Sequence, residues 1–373
     1  MIYLKTSQPY SLIDYTPKVK TFIIAEAGVN HNGSLKLALQ LVKAAANAGA
    51  DAVKFQTFIA KNLVTASASK ADYQKKSDGV KDSQLQMLQR LELTHAMHEK
   101  LIRECRRLKI EFMTTAFERE SLKYIRRLGL QRYKIPSGEI TNAPFLMEYS
   151  RLKKPLILST GMSDLKEIQE AVGVLAWGIL KKKNKPSRAI FRRLGSNPSV
   201  LKKMKNCLTI LHCTTEYPAP DTDLNLKALD TLSETFGLSV GYSDHSIGIT
   251  AAVAAVGRGA VVIEKHLTLD RTMSGPDHAA SIEPDEFKAM VDQIRRVEKM
   301  LGHAEKRVSA SEAKNKVIAR KVLVAARDLK KGIRLKALDI SIKRAGKGIS
   351  PMNFWNLLGK KLKKNYKQDE ILK

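Results

Sequence analysis

The chain has 373 residues, of which 43% are hydrophobic and 27% are charged, and its formal net charge is +28. These fractions are ordinary for a soluble globular protein, and no apolar run reaches the roughly 20 residues that a membrane helix needs. The cysteines Cys105, Cys207 and Cys213 form no CxxC pair, which favours a reducing compartment over a disulfide framework. The N-terminus lacks an apolar core followed by a cleavage site, so we expect a cytoplasmic protein.

The positive charge raises nucleic acid or another polyanion as a possible partner. Much of the excess lies in Lys181 to Lys205, which contains no acidic residue, and in the tail from Lys314 onward. Neither segment carries interleaved aromatic residues, a zinc finger or an RNA-binding signature. We therefore expect solvated basic surfaces and no nucleic-acid interface.

Short apolar runs alternate with helical patterns along most of the chain. Eight runs predict strands, and they begin at Phe22, Ala52, Phe112, Tyr133, Leu156, Leu208, Ser239 and Val261. The segments between them have a period of 3.6 residues, and the first predicted helix starts after Ser34 and ends before Gly49. Eight alternating units of strand and helix predict a (β/α)8 TIM barrel rather than an open sheet.

A change of pattern follows the helix that ends near Gly302. Residues 303–318 are polar and lack strand character, which is typical of a linker between domains. Residues 319–373 read as a small β-rich unit, so we expect a barrel domain at 1–302 and a second domain at 319–373. Residues 181–205 read as an irregular basic loop on the barrel surface.

Polar residues stand at the carboxyl end of each predicted strand, where barrel enzymes build their active sites. They include Glu26, Lys54, Gln56, Thr115, Ser137, Glu139, Ser159, Thr215, Asp244, His245, Glu264 and His266. Capping of helices explains one such strand end, but it does not explain eight in series. The pattern therefore predicts an active site at the carboxyl mouth of the barrel.

Three kinds of chemistry are available at this mouth. His245 and His266 end the seventh and eighth strands, so the two imidazoles can share a divalent metal ion. Two lysines and three hydroxyls, from Lys54, Lys134, Thr115, Ser137 and Ser159, are the groups that a phosphate needs. Glu26 and Glu139 are candidate acid–base groups, because burial near a metal shifts the pKa of a carboxyl readily. Taken singly, either lysine can instead be solvated or paired with one of these glutamates.

Eight motifs of the barrel resemble the sialic acid synthase family and occur in the family's order. They are Ile24–Gly33, Val53–Thr57, Tyr133–Glu139, Leu158–Met162, His212–Pro218, Gly241–His245, Ile263–His266 and Ser274–His278. The tail resembles the antifreeze-like SAF domain of the same family through Asp328–Gly332 and Lys343–Gly348.

The resemblance implies that phosphoenolpyruvate condenses with the open-chain aldehyde of an N-acetylated hexosamine and that phosphate leaves. It implies that His245 and His266 hold Mn²⁺ or Mg²⁺, and that Glu26 and Glu139 handle protons or the attacking water. The implied phosphoenolpyruvate ligands are Lys54, Thr115, Lys134, Ser137 and Ser159. The implied sugar ligands are Gln56, Thr215, Tyr217, Asp277 and Arg344. Arg344 would reach the partner's barrel in a domain-swapped homodimer.

The acceptor sugar and two other classes of function stay open at this point. Thr214-Thr215-Glu216 resembles the version found in synthases of sialic acid and of legionaminic acid. We expect N-acetylmannosamine as the acceptor and N-acetylneuraminate as the product, and the 2,4-diacetamido-trideoxy analogue is the alternative acceptor. A metal-dependent aldolase or isomerase would use Lys54 or Lys134 to form a Schiff base. A non-catalytic basic barrel that binds polyanions is the alternative from outside enzymes.

Overall fold

A computed structural model of the protein describes residues 20–70, 82–183 and 185–373. The expectation about a secretory signal concerns residues 1–19, which lie outside this part of the chain. The contacts divide the chain into two compact units, Met1–Gly302 and His303–Lys373. In the described part of the chain, no helix is both long enough and apolar enough to cross a membrane.

The first unit is a closed barrel of eight parallel strands, which hydrogen-bond in the order of the sequence. The strands are β1 (Phe22–Gly28), β2 (Ala52–Thr57), β3 (Glu111–Ala116), β4 (Tyr133–Ile135), β5 (Leu156–Ser159), β6 (Leu208–Cys213), β7 (Ser239–Asp244) and β8 (Val262–His266). Each of the eight apolar runs therefore forms a strand, and the predicted TIM barrel is confirmed.

Helices surround the barrel and cover the outward-facing apolar residues of the strands. They are α1 (Leu35–Asn47), α2 (Ala60–Leu63), α3 (Gln84–Arg90), α4 (His95–Leu108), α5 (Arg119–Arg127), α6 (Ala143–Ser150), α7 (Leu165–Ile179), α8 (Arg188–Gly195), α9 (Pro198–Met204), α10 (Ala228–Phe236), α11 (Thr250–Gly257) and α12 (Pro284–Leu301). Helix α1 begins as expected, because the Ser34 side chain accepts a hydrogen bond from the Leu37 N–H. Its buried face, which includes Leu41 and Val42, packs into the main hydrophobic core.

The inside of the barrel is built in layers, because successive side chains of a strand alternate between the two faces. One layer is an apolar cluster of six strand residues: Ile24, Ala52, Met113, Ile157, Leu211 and Val262. Two positions further along the same strands stand Glu26, Lys54, Thr115, Ser159, Cys213 and Glu264. The apolar layer closes the barrel below, and the layer above it holds groups that can do chemistry.

Gly241 on β7 completes the apolar layer by having no side chain. A Cβ atom at this position would lie 2.5 Å from the Val262 carbonyl oxygen and 2.6 Å from Leu211 Cδ2. Both distances are shorter than real Cβ contacts, so the barrel interior at this level has room only for glycine.

The expectation of an irregular loop at residues 181–205 is wrong for most of its length, because α8 and α9 lie there. Ser187 and Asn197 cap the two helices, and Pro198 occupies the first turn of α9. Both helices are amphipathic, and they bury Phe191, Leu194, Val200, Leu201 and Met204. The high density of lysine and arginine hid this apolar face in the sequence.

The second unit begins with α13 (Ala310–Ala319), which lies within the expected linker. It also contains the antiparallel pair β9 (Val322–Ala325) and β10 (Ile340–Lys343) and the short helix α14 (Phe354–Leu357). A separate hydrophobic core that includes Leu323, Leu335 and Tyr366 holds these elements together. The predicted small β-rich domain is confirmed as part of the fold.

Candidate active site

A cavity of about 330 Å³ opens at the carboxyl end of the barrel strands. Twelve of the fourteen residues singled out from the sequence line it: Glu26, Lys54, Gln56, Thr115, Lys134, Ser137, Ser159, Thr215, Tyr217, His245, His266 and Asp277. They come from all eight strands or from the segments that follow them. Residues separated by up to 251 positions in the sequence therefore meet in one pocket.

Four buried charges of alternating sign form the floor of this cavity. Lys54 Nζ lies 2.7 Å from Glu26 Oε2 and 3.6 Å from Glu264 Oε2. Lys134 Nζ lies 3.1 Å from the other oxygen of Glu264. One carboxylate thus holds two lysines, and each buried charge has at least one partner of opposite sign, as burial requires.

The lysines hold the two carboxyls of this floor in different protonation ranges. Burial raises the pKa of Glu26 to about 7, because the opposing effect of Lys54 does not fully compensate the loss of water. Burial also acts to raise the pKa of Glu264, but Lys134 and Lys54 outweigh it and hold that pKa well below its usual range. Glu26 can therefore exchange a proton near neutral pH, whereas Glu264 is a permanent anion.

Lys54 is held in its charged form. Burial acts to lower its pKa, but the carboxylates of Glu26 and Glu264 outweigh this effect and raise it. A lysine that forms a Schiff base must instead be neutral for part of the time. This arrangement suits a cation that binds an anionic substrate and disfavours Lys54 as the lysine of a Schiff base.

Hydroxyl groups surround the side of the cavity formed by β4, β5 and β6. The Ser137 hydroxyl accepts a hydrogen bond of 3.0 Å from the Gly161 N–H. Ser159 Oγ and Thr215 Oγ1 are buried and have no hydrogen-bond partner among the described residues. Buried polar groups are normally hydrogen-bonded, so these two hydroxyls are free to bind a polar ligand in the cavity.

Gly161 brings this group of hydroxyls together. A Cβ atom at Gly161 would lie 2.1 Å from Thr215 Oγ1 and 3.0 Å from Ser137 Oγ. Any larger residue would therefore push the two hydroxyls apart. The glycine of the Leu158–Met162 motif is needed for this close approach, and not for an unusual backbone angle.

His245 and His266 face each other across the cavity, with ring centroids 5.5 Å apart. The Nδ1–H of His245 donates a 2.6 Å hydrogen bond to the Thr214 carbonyl, which leaves Nε2 with a free electron pair. Burial lowers the pKa of His245 to about 4 and that of His266 well below its usual value, so both rings are neutral at pH 7. Neutral imidazole is the form that binds metals.

These two histidines fit a divalent metal that keeps open positions for water and substrate. His266 Nδ1 is buried with no hydrogen-bond partner in the described residues and lies 3.8 Å from Asp277 Oδ2. Among residues 20–70, 82–183 and 185–373, no group of three or more His, Cys, Asp or Glu side chains could hold a metal ion. A metal held by the two histidines would therefore keep most of its coordination positions for water and substrate.

Gln56 and Asp277 converge beside Glu26. A Cβ atom at Gly28 would lie 3.4 Å from Asp277 Oδ2 and 3.5 Å from Gln56 Nε2. Burial raises the pKa of Asp277 to about 6. The Tyr217 ring packs on His245 with centroids 4.2 Å apart. This edge of the cavity offers an amide, a carboxyl and an aromatic face to a polar, neutral ligand.

Two residues singled out from the sequence lie elsewhere. Glu139 is half-buried in a short 3₁₀ helix, does not line the cavity and accepts a 2.7 Å hydrogen bond from Asn142 Nδ2. Arg344 is exposed just after β10 in the second unit. The functional roles of both residues stay predictions.

Three strand residues that line the cavity were assigned no role from the sequence, although the alternation of strand side chains points to them. Glu264, Ser243 and Cys213 each stand two positions before a selected residue on the same strand or its extension. Ser243 donates a 3.0 Å hydrogen bond to Glu264 Oε1, which fixes the carboxylate between the lysines. Side chains at this spacing face the same side of a strand, so all three were open to prediction.

A TIM barrel with two buried lysines, two buried carboxyls and a histidine pair at its mouth is an enzyme-like site, and comparisons with known proteins give the family. The chain matches the NeuB family over residues 41–306 and the SAF domain over residues 320–373. An N,N'-diacetyllegionaminic acid synthase from Campylobacter jejuni is 49% identical over 354 residues, which cover 95% of this chain and 99% of that protein.

Two further relatives agree with this match. An N,N'-diacetyllegionaminic acid synthase from Legionella pneumophila is 44% identical over 92% of this chain and 91% of its own length. The crystal structure of a sialic acid synthetase from Leptospira borgpetersenii has a TM-score of 0.64 and 32% identity, and the match covers 79% of this chain and 90% of that chain. The chain belongs to the NeuB family of synthases and is a carbon–carbon bond-forming transferase.

Proposed function

We propose that the chain condenses phosphoenolpyruvate with the open-chain form of 2,4-diacetamido-2,4,6-trideoxymannose, giving N,N'-diacetyllegionaminic acid and phosphate. The motifs alone suggested N-acetylmannosamine first, with N-acetylneuraminate as product. The two relatives at 49% and 44% identity, both named as legionaminic acid synthases, favour the diacetamido sugar instead. The observation that carries the chemistry is the buried floor in which Glu264 holds Lys54 and Lys134 beside partnerless hydroxyls.

Phosphoenolpyruvate is expected to bind on the side of β2 to β5. Its phosphate and carboxylate are anionic, and Lys54 and Lys134 supply the two fixed cations. The hydroxyls of Thr115, Ser137 and Ser159 supply donors to the phosphate oxygens. Because the lysines are already held by Glu264, little reorganisation is needed when the anion enters.

The reaction forms one carbon–carbon bond and breaks one carbon–oxygen bond. The C3 carbon of phosphoenolpyruvate attacks the aldehyde carbon of the sugar, and the aldehyde oxygen takes up a proton to become a hydroxyl. Water adds to C2, loses a proton, and phosphate then leaves from C2 to give the ketone. Glu26 is the group that we assign to the proton of this water, because its pKa of about 7 lets it accept and release protons at neutral pH.

The sugar is expected to bind at the opposite edge of the cavity. We assign Gln56, Thr215, Tyr217 and Asp277, which all line the cavity, to the hydroxyl and amide groups of the sugar. A divalent metal, Mn²⁺ or Mg²⁺, held by His245 and His266, would polarise the aldehyde oxygen. Arg344 would come from the partner in a domain-swapped homodimer and meet the N-acetyl group.

The direct test of this function is phosphate release from phosphoenolpyruvate by protein first stripped with a chelator. Release should require both Mn²⁺ or Mg²⁺ and the diacetamido sugar. The His266→Ala variant should lose both turnover and binding of Mn²⁺ measured by calorimetry, while His303→Ala, an exposed control, keeps both. Wild-type turnover without added metal, or Mn²⁺ binding unchanged in His266→Ala, would refute the metal assignment.

A further inference from the structure

One side of the cavity is apolar, in contrast to its charged floor. We call this surface the apolar wall, and it consists of Val29, Phe58, Leu63, Val64, Met87, Leu88, Leu91 and Phe117. Four of these residues form a buried cluster of their own, against which Leu63, Leu88 and Phe117 pack. The wall is therefore a fixed part of the structure and not a chance exposure of scattered side chains.

The apolar wall comes from a limited part of the barrel. Val29 follows β1, Phe58 to Val64 follow β2, and Phe117 follows β3, while α3 supplies the rest. The opposite side, which follows β4 to β8, presents hydroxyl, imidazole and carboxylate groups to the same space. The cavity thus combines an apolar wall with a polar remainder, to which β2 and β3 also contribute Lys54, Gln56 and Thr115.

The wall adjoins residues assigned to the sugar, and its apolar side chains do not suit the anionic groups of phosphoenolpyruvate. It begins at Val29, immediately after Gly28, the point where Gln56 and Asp277 converge. Those two residues are the ones assigned to the sugar. A sugar that has its aldehyde end near the histidines and its middle at Gln56 and Asp277 must direct its remaining carbons toward the wall.

We infer that the apolar wall selects the acceptor sugar by contacting its deoxygenated C6 methyl group and the methyl group of its 4-acetamido substituent. This inference rests on the proposed function and names the surface that gives it specificity. N-acetylmannosamine differs from the diacetamido sugar at these two places, where it carries hydroxyl groups. A hydroxyl placed against the wall loses its hydrogen bonds to water, whereas a methyl group there is favoured.

Helix α3 also contributes one polar side chain to the cavity, and this side chain is compatible with an acetamido group at the wall. Gln84 stands at the start of α3 and lines the cavity beside the wall. A carboxamide can exchange hydrogen bonds with the amide of a 4-acetamido group. The combination of apolar wall and carboxamide matches an acetamido group with its methyl end.

The experiment compares three acceptors at saturating phosphoenolpyruvate by the rate of phosphate release. They are the diacetamido sugar, N-acetylmannosamine, and 6-deoxy-N-acetylmannosamine, which isolates the C6 position. Wild type should prefer the 6-deoxy sugar over N-acetylmannosamine by about 10- to 100-fold in kcat/KM, the range that a single group in an apolar pocket supplies. The diacetamido sugar should be better still.

Two variants place polarity in the wall without removing catalytic groups. Val64→Thr is nearly isosteric, and Leu88→Gln changes a half-buried position, so both proteins should fold, as thermal melting will check. Each should lower the preference for the 6-deoxy sugar by about 10-fold. Met162→Gln is the matched control, because Met162 lines the same cavity beyond β5, on the opposite side, and is 69% exposed. The Met162→Gln variant should keep the preference for the 6-deoxy sugar within about two-fold of wild type, a change smaller than the effect of one buried methyl group.

The outcomes separate the inference from the proposed function. If wild type prefers the diacetamido sugar but Val64→Thr and Leu88→Gln keep the wild-type preference, the inference about the wall is overturned and the function stands. A wild-type enzyme that prefers N-acetylmannosamine overturns the proposed acceptor and the inference together. If Met162→Gln lowers the preference for the 6-deoxy sugar as much as the two wall variants do, the role of the wall is overturned as well.

Discussion

At the scale of single residues, the site depends on how Glu264 is shared between two lysines. Lys54 and Lys134 bind different oxygens of the same carboxylate, and Ser243 donates to one of them. The cations are therefore fixed before any substrate enters. Replacing one lysine changes both the charge available to the ligand and the balance of charge around Glu264.

The Lys134→Met variant should lower kcat/KM for phosphoenolpyruvate by about 100-fold or more, as removal of a fixed donor at a developing charge does. The physical reason is that the phosphate loses one of its two cations while Glu264 stays buried and only partly compensated. Steady-state kinetics with each substrate varied in turn should show a much smaller change in KM for the sugar. Lys166→Met, which changes an exposed lysine of α7, serves as the control. Unchanged phosphoenolpyruvate kinetics in Lys134→Met would refute the phosphate cradle.

The protonation of Glu26 should appear in the pH profile. A general base works only when it is deprotonated, so kcat/KM should fall about tenfold per unit as the pH drops below the Glu26 pKa of about 7. Glu26→Gln should reduce kcat strongly, and its residual rate should lack this limb of the profile. A profile that instead falls as the pH rises through 7 would mean that Glu26 acts as an acid. Such a result would contradict its assignment to the water.

At the scale of elements, the alternation of side chains along the strands explains most of what the sequence could predict. The apolar runs identified the strands, and the polar residues at their ends identified twelve cavity residues. Glu264 was named among the polar strand ends but was assigned no role, because its place between Lys54 and Lys134 depends on contacts across the barrel. The helices α8 and α9 were missed because their buried residues are separated by many basic ones.

The apolar wall could not have been predicted from the sequence. Leu63, Leu88 and Phe117 are apolar residues of loops and short helices, and a sequence pattern does not tell a core residue from one that lines a cavity. Only the packing of three separate segments around one space distinguishes the two. Sites built by loops on a rigid barrel are generally recognised at this level and not from periodicity.

The packing of α8 on α7 depends on two glycines. A Cβ atom at Gly173 would lie 1.9 Å from the Phe191 carbonyl oxygen, and one at Gly195 would lie 1.9 Å from the Gln169 carbonyl oxygen. Gly173→Ala should therefore lower the free energy of unfolding by about 1–3 kcal/mol, the usual cost of overpacking. Denaturant titration measures this change. Gly257→Ala, in α11 with open space around it, should be neutral or slightly stabilising. Equal stability of the two variants would contradict the close helix contact.

At the scale of the whole molecule, the chain consists of two compact units with separate cores. The proposed function assigns Arg344 of the second unit to the partner's barrel, and this proposal can be tested. If the second unit covers the partner's barrel, Arg344 and His266 of one site belong to different chains. Arg344→Ala and His266→Ala should each be nearly inactive alone. Mixing them under conditions of subunit exchange should restore activity, because each mixed dimer contains one intact site.

The control for this complementation is a mixture of His266→Ala with Lys134→Met. Both substitutions lie in the barrel domain, and each variant chain carries one of them. That mixture should stay inactive in a swapped dimer, because every barrel in it lacks either His266 or Lys134, whichever chain supplies Arg344. If activity is restored only when His266→Ala is mixed with Arg344→Ala, the result supports the domain-swapped dimer. If the mixture of His266→Ala with Arg344→Ala stays inactive although light scattering shows dimers, the domain-swapped dimer is contradicted.

The proposed acceptor is tested most directly by a competition between the two sugars. Equal concentrations of 2,4-diacetamido-2,4,6-trideoxymannose and N-acetylmannosamine are supplied with limiting phosphoenolpyruvate and Mn²⁺, and mass spectrometry reports the ratio of the nine-carbon products. The product ratio equals the ratio of the kcat/KM values. We expect N,N'-diacetyllegionaminic acid to exceed N-acetylneuraminate by about 10-fold or more. Predominance of N-acetylneuraminate, or the absence of both products, would contradict the proposed acceptor.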